Sequence, residues 1–123
     1  MNALLLLAKA LGDATRLRLL SLLRGGGELC VCELVDALEI SQSTLSTHLQ
    51  TLRQSGLVGA RKDGKWMYYR LQSGQCALIE TLFNFHREAL QNDELLQNDA
   101  MRLEKRLALR CEGACVVGFG PRA

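Results

Sequence analysis

The stretch Ser41-Gln42-Ser43-Thr44-Leu45-Ser46-Thr47-His48-Leu49-Gln50-Thr51-Leu52-Arg53-Gln54-Ser55-Gly56 decides the fold. At about 100° per residue, Leu49 and Leu52 fall within about 40° of Leu45, so the three leucines form one inward stripe. Ser43, Thr47, Gln50 and Gln54 lie opposite, with Ser46 beside them and Gln42 in the first turn. Ser41 or Ser43 can cap the helix start, and Gly56 ends it. Short hydroxyls and flexible amides are groups that meet base edges and phosphates in a DNA groove. Any solvated helix also shows a polar outer face, so the neighbouring elements have to decide between the two readings.

Working outward, residues 30–39 predict a helix with Leu34, Val35 and Leu38 inward. Before it, Asp13 caps a helix with Leu17, Leu20 and Leu23 inward, which stops at Gly25-Gly26-Gly27. Leu4, Leu7, Ala8 and Leu11 give a first helix. After Gly56 the period changes to two. Leu57 to Lys62 and Lys65 to Leu71 predict strands around Asp63-Gly64, a hairpin signal. Tyr68 and Tyr69 alternate, which puts one of them inside, whereas Trp66 fits either side. From Gln75 to about Leu90 the pattern is helical again; Asn92 and Asp93 interrupt it, and a last helix carries Leu96, Ala100, Leu103 and Leu107.

Two short helices, a tight turn, a third helix and a two-stranded hairpin describe a winged helix-turn-helix, mainly α with a small β-hairpin. The helices at both ends are too apolar for a small monomer, which predicts a homodimer. One domain over residues 1–110, for DNA binding and dimerisation, and a flexible cysteine-containing tail over 111–123 complete the expected organisation.

Charge supports a single nucleic-acid face. The net charge is only +2, but residues 41–75 hold Arg53, Arg61, Lys62, Lys65 and Arg70 against Asp63. The flanking residues 28–40 and 76–99 each carry a balance of −4. At the hairpin tip, Arg61, Lys62 and Lys65 are placed to contact the DNA backbone, a contribution that should depend on salt and be largely blind to sequence. His48 lies at the flank of the buried stripe, where a packed, hydrogen-bonded ring fits better than a base contact. The apolar run Leu4 to Leu7 is too short for a signal peptide or membrane span. Five cysteines in no secreted disulfide pattern predict a cytoplasmic protein with reduced thiols. No acid–base pair, nucleophile–base spacing or phosphate loop speaks for an enzyme, and the Gly25–Gly27 run lacks the context of a P-loop.

The chain resembles the ArsR/SmtB metal-sensing repressors over about residues 8–90. The matching pieces are Gly12-Asp13-Ala14-Thr15-Arg16-Leu17-Arg18, Glu28-Leu29-Cys30-Val31-Cys32-Glu33-Leu34, the run Ser41 to Leu49, and Gly56-Leu57-Val58. The Cys-Val-Cys piece looks like the arsenite-responsive branch. That resemblance implies an apo dimer on the palindromic operator of an arsenic-resistance operon, released when trivalent arsenic or antimony binds thiolates. It also implies that Gln42, Ser43, Ser46 and Thr47 face double-stranded DNA, in agreement with the helical wheel. Three departures stand out. The branch's third cysteine, three positions after the second, is Val35 here, Ala14 replaces a common proline, and the end of the chain carries Cys111 and Cys115, which the branch does not generally share.

Cys30 and Cys32 are soft donors for a thiophilic centre. At a helix start, exposed amides favour the thiolate. On a continuous helix, residues two apart point about 200° from each other, so the pair is expected to diverge until ligand bends the first turn. Cys111, or Cys115 beyond Gly113, is the expected further ligand, from the same chain or the partner; a small external thiol could serve instead. Cys76 is expected to be structural. His86 stands alone, and neither paired histidines nor C-x2-C suggests a zinc finger. Three further readings remain open: capture of cadmium, lead or mercury by the same thiols, a redox switch pairing Cys30 or Cys32 with Cys111 or Cys115, and a protein-binding module that never meets DNA.

Overall fold

A computed structural model describes residues 1–111 together with Gly113 and Gly118. Its order is α1 (Asn2–Leu11), α2 (Ala14–Leu23), β1 (Leu29–Cys30), α3 (Val31–Leu38), α4 (Gln42–Gln54), β2 (Val58–Asp63), β3 (Trp66–Leu71), α5 (Cys76–Phe85), α6 (Arg87–Gln91) and α7 (Glu94–Leu107). A 3-10 turn over Ser73–Gln75 leads into α5. The architecture is the expected winged helix-turn-helix, with α3 and α4 as the helix pair and β2–β3 as the wing. No described helix is long and apolar enough to cross a membrane.

The core follows the leucine spacing. Leu45, Leu49 and Leu52 of α4 meet Leu19, Leu20, Leu23, Leu34 and Leu38, all nearly inaccessible to solvent. Leu17 departs from expectation: it lies on the exposed side of α2, while Leu19 and Leu22 turn inward. Helix ends are closed by specific groups. The Asp13 carboxylate accepts the Arg16 amide at 3.0 Å, and Ser41 Oγ accepts the Thr44 amide at 3.2 Å. The helix-turn-helix corner is made by Glu39, whose φ of +54° places a non-glycine residue in the left-handed region. Gly56, at φ +82°, turns the chain from α4 into the wing.

Arg16 gives the segment 12–18 its purpose. Its guanidinium donates to the carbonyls of Ala10 (2.8 Å) and Lys9 (2.9 Å), the open end of α1, and meets His48 Nδ1 at 3.1 Å. One cation thus joins α1, α2 and α4, and His48 is a packed, hydrogen-bonded side chain.

The wing is larger than a hairpin. β1 pairs antiparallel with β3, giving a three-stranded sheet in the order β1-β3-β2. Both tyrosines of β3 are buried, because each face of this sheet is covered. Tyr69 enters the main core, whereas Tyr68 packs with Cys30 and Cys32. The helix expected from Gln75 to about Leu90 is broken at His86, whose backbone (φ −104°, ψ 20°) separates α5 from α6.

α7 lies along α3 and α2. Three arginines spaced four apart, along α7 and just past it, meet three acids spaced three apart, Glu33 and Asp36 on α3 and Glu39 at its C-cap, in antiparallel order. Arg102 reaches Glu39 at 3.5 Å, Arg106 reaches Asp36 at 2.5 Å, and Arg110, just past the helix, reaches Glu33 at 2.6 Å. Asp99, which is 1% exposed, accepts both Arg18 and Arg102 at 2.8 Å. The α3 carbonyl end is closed by Arg18 to Leu38 O (2.9 Å) and Arg102 to Ala37 O (2.7 Å).

Candidate functional site

The outer face of α4 is open. Gln42, Ser43, Ser46, Thr47 and Gln50 are all exposed, on the side away from Leu45, Leu49 and Leu52. Thr47 Oγ1 donates back to Ser43 O at 3.1 Å, which fixes its rotamer and leaves the hydroxyl oxygen able to accept. Arg61, Lys62 and Lys65 are also exposed, Lys62 and Lys65 toward the tip of the wing and Arg61 on β2 opposite Tyr68. The three cations differ in their surroundings. Lys65 Nζ stands 4.9 Å from the centre of the Trp66 ring. Arg61 is held by Glu28: its Nε and Nη2 lie 3.0 and 2.8 Å from Oε1, and Nε is also 3.0 Å from Oε2. That hydrogen-bonded guanidinium, and its charge, hold the Glu28 carboxyl below the usual range despite some desolvation, and the Arg61 pKa is raised in return.

Cys30 and Cys32 sit behind the wing. Cys30 is the last residue of β1 and the N-cap of α3, with extended backbone (φ −73°, ψ 148°) rather than helical. This overturns the expected divergence of the two side chains. Because only Cys32 is on the helix, the pair is not related by a helical rotation, and the sulfurs lie 2.9 Å apart. No bend of the first turn is needed to gather them. Both are buried, at 1% and 0% exposure, under Tyr68 and Trp66.

A polar shell holds this corner. Glu33, fully buried, accepts the Cys30 amide at 2.8 Å as the N3 partner of a capping box. Arg110 donates to both Glu33 oxygens at 2.6 Å and to the Glu28 carbonyl at 2.8 Å. The same guanidinium lies 6.0 Å from the centre of the Tyr68 ring. Spacing along the chain assigns no site role to Glu28, Glu33 or Arg110. The signal was the pattern Arg102, Arg106, Arg110 against Glu33, Asp36, Glu39, legible only once α7 is known to lie on α3.

The other cysteines separate. Cys111, whose spacing extends the stripe of Leu96, Leu103 and Leu107 in the sequence, is instead exposed beyond the end of α7. Cys76 is exposed at the first position of α5, its thiol 3.5 Å from Gln72 O. Cys115 lies outside the described residues. Of the expected tail, Gly113 O is 3.4 Å from Arg110 Nη1. Gly118 O accepts Arg106 Nη2 at 2.8 Å, and Gly118 lies so near Trp66 that a β-carbon would come within 2.9 Å of the ring. Gly118, Cys30, Gln42, Ser46 and Lys65 border one cleft of about 450 Å³ between the thiol corner, α4 and the wing. Among the described residues, no three His, Cys, Asp or Glu side chains are grouped to hold a metal ion.

Comparison with known proteins places this geometry. The profile described as "Bacterial regulatory protein, arsR family" matches residues 13–59. The chain is 43% identical over 95 residues to the arsenic resistance transcriptional regulator ArsR1 of Pseudomonas putida, covering 77% of this chain and 73% of that protein. The chain belongs to the arsR family. Another ArsR-family relative, the arsenical resistance operon repressor of Escherichia coli, is 55% identical over 65 residues, 53% of this chain and 56% of that one. Among solved structures, the homodimeric winged helix-turn-helix DNA-binding domain of Mb0332 from Mycobacterium bovis superposes with a TM-score of 0.67 at 31% identity, over 75% of this chain and 85% of that chain. The protein is therefore an ArsR-family transcriptional regulator with a winged helix-turn-helix.

Proposed function

We propose that the protein is a homodimeric repressor of an arsenic-resistance operon, released from palindromic double-stranded operator DNA when As(III) or Sb(III) binds cysteine thiolates. The observation that carries this reading is the buried pair of sulfurs 2.9 Å apart, on the residues that join the wing to α3. With metal–sulfur bonds of about 2.3 Å, two sulfurs on one centre stand roughly 3.5 Å apart, so a small opening admits a thiophilic atom. Two relatives named for arsenic resistance support the choice of metalloid.

In this reading, Gln42, Ser43, Ser46, Thr47 and Gln50 face the major groove, and Arg61, Lys62 and Lys65 contact phosphates. Cys30 and Cys32 supply two ligands, and the chain after α7 supplies a third through Cys111 or Cys115. The dimer is formed through the apolar end helices, where Leu4, Leu5 and Phe85 are 64%, 59% and 83% exposed. Such a regulator works in the cytoplasm, where thiols stay reduced.

The test is a titration of the DNA-bound, fully reduced protein with arsenite and, separately, cadmium. Arsenite is expected to release wild type, and Cys30→Ser/Cys32→Ser is expected to stay bound. Single Cys111→Ser and Cys115→Ser variants identify the third ligand. Release of the double variant by arsenite would overturn the reading, and release of wild type by cadmium alone would reassign the inducer. The closeness of the sulfurs favours a second reading, a Cys30–Cys32 disulfide. Two thiols would lose two protons and two electrons to hydrogen peroxide, which becomes water. Release by peroxide without response to arsenite would select it.

A further inference from the structure

The wing and the thiol pair share one row of the sheet. Cys30 is opposite Tyr68, and Tyr68 is opposite Arg61, so the three residues stand side by side across β1, β3 and β2. Residues directly opposite in adjacent strands project to the same face. The phenol ring accordingly packs on the cysteines, while the Arg61 guanidinium lies 5.0 Å from its centre. α3, on the other side of the pair, is fastened to α7 by three ion pairs. Displacement at the sulfurs therefore meets a braced helix on one side and a short strand on the other.

Glu28, immediately before β1, closes the circuit. Its carboxylate engages the edge of Arg61 that would otherwise grip a phosphate, with two guanidinium nitrogens within 3.0 Å. A carboxylate and a phosphate offer the same paired oxygens to the same fork. Arg61 remains 49% exposed, so its position faces solvent while its Nε and Nη2 donors are occupied. The other nearby carboxylate, Asp63, stands 3.8 Å from Nη1 and is a weaker rival.

We propose that Glu28 is an internal phosphate mimic: it competes with DNA for Arg61, and because it adjoins the strand bearing Cys30, thiol ligation shifts that competition toward the carboxylate. This rests on the reading of the wing as a DNA contact and adds both a residue that sets affinity and a route by which the sensing corner reaches DNA.

The experiment compares wild type, Glu28→Gln, Arg61→Gln and the double variant on a duplex enriched from a random pool by the wild-type protein. Affinity is measured for reduced protein over a range of salt, without and with arsenite. Glu28→Gln is expected to bind several-fold more tightly at low salt. Its plot of log affinity against log salt should steepen by up to about 1.8, the value of two further phosphate contacts, one from each protomer. In the Arg61→Gln background, Glu28→Gln should add little. Arsenite should weaken Glu28→Gln by a smaller factor than wild type. An unchanged or lower affinity of Glu28→Gln, or the same gain without Arg61, would overturn the competition. An equal arsenite factor in both proteins would overturn its coupling to the thiols. Circular dichroism melts of each variant confirm that it is folded. Failure of wild type to bind any duplex would instead defeat the functional reading itself.

Discussion

At the scale of single residues, Glu33 is the most constrained charge near the thiols. It is fully buried, and its two oxygens serve the Cys30 amide and the Arg110 guanidinium. Removing one partner of a buried pair costs more than the pair contributes, because an uncompensated charge remains out of water. Arg110→Ala is therefore expected to destabilise the protein by about 3 kcal/mol. Glu33→Gln combined with Arg110→Met, which keeps an acceptor for the Cys30 amide, should recover most of that loss. Urea unfolding at fixed protein concentration measures both, and a double variant as weak as the single one would show that the ion pair itself stabilises. The cysteines were legible from their spacing and from the resemblance, but their geometry was not. A helical wheel relates only residues inside one helix, and Cys30 ends a two-residue strand before α3 begins. Leu29 and Cys30 carry no alternation long enough to announce a strand; pairing with β3 creates it.

At the scale of elements, the corner between α3 and α4 stores backbone strain. Glu39 adopts φ +54° and ψ 45°, which costs an L-residue about 1 kcal/mol relative to glycine. Its side chain is largely exposed and meets Arg102 at only 3.5 Å, an ion pair worth a few tenths of a kcal/mol at about that exposure. Glu39→Gly is expected to raise stability by about 0.5 kcal/mol, read as a higher urea midpoint with an unchanged slope. A lower midpoint would mean that the contact to Arg102 outweighs the strain. Most elements could be read in advance from capping residues and the change of period, including Asp13, Ser41, Gly56 and the Asp63-Gly64 turn. The break at His86 could not, since the apolar spacing runs on through Phe85 and Leu90 and only the backbone leaves the helix. The arginine rungs of α7 were hidden for a different reason: spacings of four and three match only across two helices far apart in the chain.

At the scale of the whole molecule, α1 and α5 carry apolar surface that the described chain leaves uncovered. Leu4 and Leu5 on α1 and Phe85 at the end of α5 are more than half exposed. A mostly apolar groove of about 300 Å³, lined by Leu11, Leu17, Leu82, Phe83, Leu90 and Leu96 together with His86, lies on the same part of the fold. Burying such side chains contributes about 1.5 kcal/mol or more each, which favours association of a second copy over this face. Leu4→Glu/Leu5→Glu is expected to sediment as a monomer and to bind DNA far more weakly, while its α3, α4 and wing stay folded by circular dichroism. A double variant that remains dimeric would place the subunit contact elsewhere.

The chain's one tryptophan stands at the start of β3, half-buried against Cys30, Cys32 and Tyr68 and touched by Gly118 from the tail. Its indole is therefore a built-in optical gauge: emission from this single chromophore registers events at the sulfurs without any attached dye. Undocking of Gly118 would bare one face of the ring to water, while a heavy atom captured beside it would shorten its excited state.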